Sequence, residues 1–170
     1  MFQNAVEKVL KTEGGYVDHP DDKGGATNFG ITEQTLAQFR GTPVSHDDVR
    51  NLTKDEAIAI YEKFYWKPMG LDQVTKPKIA TILFDQAVNR GMAGATRSIQ
   101  RVLGLKVDGK IGPVSILAIN ACSETSICLA LFEDAQLQYV DIVQKNPLQV
   151  VFLEGWIRRT HSLLDVAFEV

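Results

Sequence analysis

The stretch Glu13-Gly14-Gly15-Tyr16-Val17-Asp18-His19-Pro20-Asp21-Asp22-Lys23-Gly24-Gly25-Ala26-Thr27-Asn28-Phe29-Gly30 decides how the chain is read. Its first residue is a carboxylate at the end of a helical pattern. Three more acids follow in a polar, glycine-rich segment. Upstream, Phe2, Ala5, Val6, Val9 and Leu10 repeat with the 3.6-residue period of an amphipathic helix. Continued by one step, the apolar stripe reaches Glu13, and Gly14-Gly15 is a helix stop. Apolar neighbours and the negative end of a helix dipole both favour the neutral form of a carboxylic acid placed there, which is the form a general acid uses.

The segment 18–28 holds too many Gly, Asp and Pro residues for a helix and reads as a loop or short hairpin closing over Glu13. Asp21 and Asp22 are adjacent, so in extended backbone they point to opposite sides. Asp18, Asp21 and Asp22 are equally suited to forming turns, because Asp bonds its own backbone readily. His19, before Pro20, reads as a surface residue.

Glu13 is followed nine positions later by Asp22 and fourteen later by Thr27. That spacing resembles the Glu, Asp, Thr triad of phage-type lysozymes. The pair of motifs Glu13-Gly14-Gly15-Tyr16 and Asp22-Lys23-Gly24-Gly25-Ala26-Thr27-Asn28-Phe29-Gly30-Ile31-Thr32 resembles more closely the signature of glycoside hydrolase family 108. This muramidase family is also called secretion-activator-like. The resemblance implies a mainly α, lysozyme-like fold with a small loop or β-hairpin near 18–31. It implies hydrolysis of the β-1,4 bond between N-acetylmuramic acid and N-acetylglucosamine, with catalytic Glu13, Asp22 and Thr27. Tyr16, Asn28, Tyr65, Trp66, Asp85 and Asn89 are the candidate substrate-binding residues. The chemistry requires no metal or organic cofactor.

Outside the motif, Thr32 is a candidate N-cap for a helix to about Arg40, ended by Gly41-Thr42-Pro43. Residues 44–52 read as a polar connector containing His46. Thr53-Lys54-Asp55-Glu56 reads as a capping box opening a helix through about Phe64, which Tyr65-Trp66-Lys67-Pro68 ends. Trp66 suits either stacking on a sugar face or ordinary core packing. Residues 77–88 predict a central buried helix in which Asp85 and Asn89 are polar neighbours at i, i+4. A buried Asp-Asn pair must be hydrogen-bonded. It either ties the helix to the loop or lines the substrate groove. Residues 89–118 carry a helix, then Val107-Asp108-Gly109-Lys110-Ile111-Gly112-Pro113 as a turn, then another helix. This resembles the predicted peptidoglycan-binding region of the same family, and it reads equally as a helical corner completing the core. A long helix over 123–144 is broken by Lys145-Asn146-Pro147, and a last helix comes after it, in which Gly155 would allow close helix approach.

The 170 residues carry a net charge of -3, 45% hydrophobic and 23% charged residues, ordinary for a globular protein. A weakly acidic chain does not bind nucleic acid by bulk charge. Cys122 and Cys128 are too far apart along a helix for a bridge and lack metal-ligand spacing, so both read as free thiols. No apolar run is long enough to insert in a membrane, and no signal peptide is legible. The expected localisation is therefore the cytoplasm at synthesis and the periplasm or cell wall after export, through a holin or a secretion route. The expected organisation is a catalytic lobe over 1–90 and a helical peptidoglycan-binding-like lobe over 91–170, packed as one unit of unknown oligomeric state. The partner is the glycan strand of peptidoglycan, met in phage or prophage lysis or in wall remodelling for secretion. Two alternatives stand beside the muramidase. One is a lytic transglycosylase or chitinase using the same Glu, and the other is a non-catalytic wall-binding accessory protein.

Overall fold

The computed structural model describes residues 1–17 and 25–168, and Asp18, His19, Asp21 and Asp22 lie outside the described residues. The chain is mainly α-helical and divides into two compact units, Phe2–Pro68 and Met69–Val170.

In the first unit, α1 (Phe2–Glu13) buries Ala5, Val6, Val9 and Leu10, the stripe its period specifies. A hairpin of β1 (Thr27–Asn28) and β2 (Ile31–Thr32) comes next, in the register Thr27↔Thr32 and Asn28↔Ile31. Val17 pairs antiparallel with Thr27 through two backbone bonds of 2.8 Å. The Thr32 side chain accepts from the Thr35 N–H at the start of α2 (Glu33–Arg40), and Gly41 closes that helix in the left-handed conformation. The polar connector expected over 44–52 contains a short helix, α3 (His46–Arg50). Ser45 and Asp48 form a reciprocal capping box that specifies it, with Asp in the place usually held by Glu or Gln.

α4 (Lys54–Tyr61) has Thr53 as its N-cap, but only half of the expected box forms. Glu56 instead takes both its bonds from Arg40, at 2.8 and 2.9 Å. The helix expected to run to Phe64 changes type at Glu62. Residues Glu62–Trp66 form a π-helical turn, a rare form that recurs at functional sites. Trp66 is buried, 3% exposed, with its ring 5.2 Å from Phe2.

In the second unit α5 (Pro77–Arg90) is the central helix, buried over nearly its whole surface by α6 (Met92–Val102), α8 (Glu124–Lys145) and α9 (Val150–Phe168). Its start has no side-chain cap of its own, and Glu124 of α8 accepts from the Lys78 N–H at 2.8 Å. Asp85 of α5 holds Arg159 of α9 through two bonds of 3.2 and 3.0 Å, with both side chains nearly buried. Asn89 donates to the Tyr139 hydroxyl of α8 at 3.0 Å, and Trp156 stacks on the Tyr139 ring. α7 (Pro113–Ala121) lies beyond the turn after α6. Gly155 is exposed and a Cβ there would meet nothing, so it mediates no close helix approach. Cys122 and Cys128 are free thiols, and burial pushes the Cys128 thiol up to about 12. Among the described residues no single helix is long and apolar enough to cross a membrane.

These ties have measurable consequences in each unit. The Asp48 carboxyl is held below its ordinary range by the Ser45 hydroxyl and N–H and then by Arg40; the Glu56 carboxyl is held down chiefly by Arg40. Depressed carboxylates stabilise the fold above the ordinary carboxylate range, near pH 4, and lose that contribution as pH falls through their folded values. Chemical denaturation across pH 3 to 6 should therefore show stability falling on acidification, with a shallower fall in Arg40→Ala. In the second unit, Asp85→Ala removes the carboxylate that accepts two bonds from the nearly buried Arg159 guanidinium and should cost about 3–5 kcal/mol in denaturant unfolding. A loss below about 1 kcal/mol would show that Arg159 finds solvent or another partner.

Candidate active site

α1 delivers Glu13 as its final residue, half-buried, and Gly14 at φ 78° turns the chain out of the helix. The hairpin then returns to the same carboxylate. Its two connecting residues, Phe29 at φ 52° and Gly30 at φ 72°, are both left-handed, as a two-residue turn of type I′ requires. Gly30 suits this conformation. Phe29 is a bulky residue in it, at a cost of about 1–3 kcal/mol that surrounding contacts must offset. One such contact is the Tyr61 hydroxyl, which donates to the Phe29 carbonyl at 2.8 Å.

Gly30 is required for a second reason. A Cβ at that position would lie 2.7 Å from the Glu13 Oε2 and 2.8 Å from the Tyr61 hydroxyl, closer than any real side chain tolerates. The turn therefore presses bare backbone against the carboxylate. Tyr65, one helical turn after Tyr61, lies with its ring 5.7 Å from that of Tyr61. Burial, and then the negative charge of Glu13, push the Tyr65 phenol above its ordinary value, so it stays neutral near pH 7. Glu13, the Phe29-Gly30 turn, Tyr61 and Tyr65 form one cluster, with the π-helical turn supplying Tyr65.

The other candidate residues are placed differently. Thr27 is half-buried in β1, and strand alternation points it to the face opposite Asn28. Asn28 is buried, and its amide donates to the carbonyls of Val49 and Arg50, both at 3.1 Å, closing the end of α3. The Tyr16 ring lies under the Arg50 guanidinium, 4.9 Å from centroid to Cζ. Trp66 is enclosed in the core of its unit. Asp85 and Asn89 belong to the second unit and are engaged by Arg159 and Tyr139. Asp22 lies outside the described residues. Among those described, no group of three or more His, Cys, Asp or Glu is arranged to hold a metal.

Helical periodicity puts Tyr61 on the apolar face of its helix and does not connect it with Glu13. The available signals were the i, i+4 spacing of Tyr61 and Tyr65 and a glycine at the second position of a two-residue turn.

A half-buried carboxylate at a helix end, covered by a hairpin turn and flanked by phenols, is suited to proton transfer onto a leaving oxygen. This is the chemistry of a glycoside hydrolase on a lysozyme-like helical fold. Residues 6–91 match the family described as Glycosyl hydrolase 108, and residues 94–161 match the Predicted Peptidoglycan domain. The structure of SagA from Brucella abortus is similar at 33% identity, over 98% of this chain and 92% of that one, with a TM-score of 0.82. No curated protein sequence matches the chain significantly. The chain belongs to glycosyl hydrolase family 108. It is a glycoside hydrolase, and its second matched region supports peptidoglycan as the polymer it acts on.

Gly30→Ala should cost about 2 kcal/mol or more, since it combines left-handed backbone strain with the clash on Glu13 and Tyr61. It should also lower turnover of peptidoglycan by at least ten-fold. Gly41→Ala carries similar backbone strain in open space, at φ 73°, and should lose stability while keeping activity. Thermal unfolding beside turnover separates the two, and equal activity in both variants would mean that the close approach does not shape the site.

Proposed function

We propose that the chain is an N-acetylmuramidase that cleaves the β-1,4 bond between N-acetylmuramic acid and N-acetylglucosamine, with Glu13 as general acid. The observation that supports it best is the Glu13 carboxylate, set at the end of α1 under the Phe29-Gly30 turn beside Tyr61 and Tyr65. Protonation of the leaving oxygen by Glu13 lets the anomeric carbon develop positive charge. Water then attacks that carbon, assisted either by Asp22 or by the acetamido group of the substrate itself. Thr27 is suited to hold this water or the sugar on the reducing side. A carboxylate gap of about 6.5–9.5 Å would go with inversion at the anomeric carbon, and about 5–5.5 Å with retention. The enzyme acts in the periplasm or cell wall after export through a holin or a secretion route. Its role is wall opening by a phage or prophage, or remodelling for secretion.

The test is release of soluble muropeptides from purified sacculi, wild type beside Glu13→Gln, with the product ends read by mass spectrometry. Reducing muramic ends from wild type and a loss of roughly 10²-fold or more in the variant are expected. Anhydro-muramic ends, which lack the added water, would replace the muramidase with a lytic transglycosylase. Equal rates would remove Glu13 from the mechanism. Binding to sacculi without release from either protein would leave a wall-binding accessory.

A further inference from the structure

The second unit contains a cavity of about 410 Å³ that the proposed reaction does not use. Its volume falls within the range of about 300–1,000 Å³ common for small-ligand sites. It lies at the turn between α6 and α7, and Gln100 fixes the shape of that turn. The buried Gln100 amide accepts from the N–H groups of Asp108 and Gly109 at 3.1 and 2.9 Å. It donates to the Asp108 carboxylate at 2.8 Å and to the Lys110 carbonyl at 3.1 Å. All the hydrogen-bonding capacity of one buried side chain thus holds the turn in shape.

The lining has three kinds of surface. Leu105, Ile111 and Val114 provide an apolar wall, and Val114 remains 70% exposed. Lys106 and Lys110 are exposed cations on the same cavity. They add to the effect of the Lys110 N–H and the Gln100 amide in holding the Asp108 carboxyl below its ordinary range. The third surface is the start of α7, where Gly112 is the N-cap and no side chain caps the helix. The N–H groups of Val114 and Ser115 thus have no partner within the helix. Ser115 is 5% exposed, lines the cavity, and its hydroxyl has no hydrogen-bond partner among the described residues. Ser115 with its unpartnered hydroxyl, the uncapped start of α7, Lys106 and Lys110 all line one small apolar-walled space.

We propose that this cavity binds the carboxylate-bearing stem peptide of peptidoglycan. The proposal rests on the reading that peptidoglycan is the substrate polymer, and it names the part of that polymer the second unit recognises. Carboxylates are favoured at an uncapped helix start and beside ammonium groups. The short aliphatic side chains of such a peptide match the wall of Leu105, Ile111 and Val114. No aromatic ring lines the cavity, so it offers no stacking surface for a sugar. The oxygen of Asp108 not bound by Gln100 can accept an amide or ammonium hydrogen from the same peptide. The chain is acidic overall, so the cationic lining is a local arrangement set against its bulk charge.

The test is a titration of the full chain, labelled with ¹⁵N, using the synthetic tripeptide L-Ala-γ-D-Glu-meso-diaminopimelate, beside a peptide-free N-acetylglucosamine oligomer. The tripeptide should shift the amides of Lys110, Val114 and Ser115 in a saturable way, and the oligomer should leave them in place. The double variant Lys106→Ala/Lys110→Ala, altered only at exposed positions, should bind the tripeptide about ten-fold more weakly. Shifts from the oligomer alone, or undiminished tripeptide binding by the double variant, would overturn the proposal. The tripeptide has no glycosidic bond, so its binding does not depend on turnover. Glu13→Gln should bind it as wild type does, and a failure of the muramidase reading would leave that result intact.

Discussion

The first unit depends on one close approach, that of the Gly30 backbone to the Glu13 carboxylate. A carboxylate at the end of a helix is ordinarily well hydrated. Here the hairpin turn covers it from one side and the π-helical turn brings Tyr65 near it. The approach is possible only because the turn residue has no Cβ and accepts a positive φ. It is maintained because Tyr61 bonds the neighbouring Phe29 carbonyl. Both requirements fall on adjacent residues, so the backbone geometry of the hairpin and the environment of the catalytic candidate are a single constraint. The scaffolding around it has the same logic. Asn28 commits its amide to the end of α3, and Arg40 ties α2 to the starts of α3 and α4, so the strand preceding the turn has little freedom to withdraw.

Local pattern made part of this structure legible in the sequence. The α1 stripe ends on Glu13 in both the periodicity and the structure, and Thr32, Gly41, Pro77 and Pro113 mark the helix boundaries they suggested. The glycine-rich motif carried the family, which the match over residues 6–91 then showed. Less legible was everything that depends on which polar groups meet across elements. Glu56 fits a capping box by spacing, yet its carboxylate is taken by Arg40, sixteen residues earlier in the chain. The partner of Asp85 is Arg159, seventy-four residues away, and no helical period contains that information. The π-helical turn at Glu62–Trp66 was invisible for a related reason. Its extra residue per turn changes which side chains face inward, and the α period assigns Tyr65 and Trp66 only to a helix terminus.

The two units show different relations between charge and function. In the first, the Glu13 carboxylate lies against the bare backbone of Gly30 and near the phenols of Tyr61 and Tyr65. In the second, the charged groups fall into two sets. Asp85 with Arg159, and Asp134 with Arg101 and Ser98, are engaged inside the helix bundle, where paired charges hold the packing of α5, α6, α8 and α9. Lys106 and Lys110 face a cavity whose framework is already complete without them. A protein surface usually carries lysine for solubility, and two of them would need no explanation in open solvent. Their coincidence with an uncapped helix start and the unpartnered hydroxyl of Ser115, which lines the same cavity, is different. Three kinds of hydrogen-bond donor thus line one space: ammonium groups, helix-start N–H groups and a hydroxyl. The proposed ligand, with carboxylates and short aliphatic side chains, would engage all three together. On the proposed reading, a polymer that carries sugar along its backbone and such peptides along its side presents each unit with the part its chemistry suits.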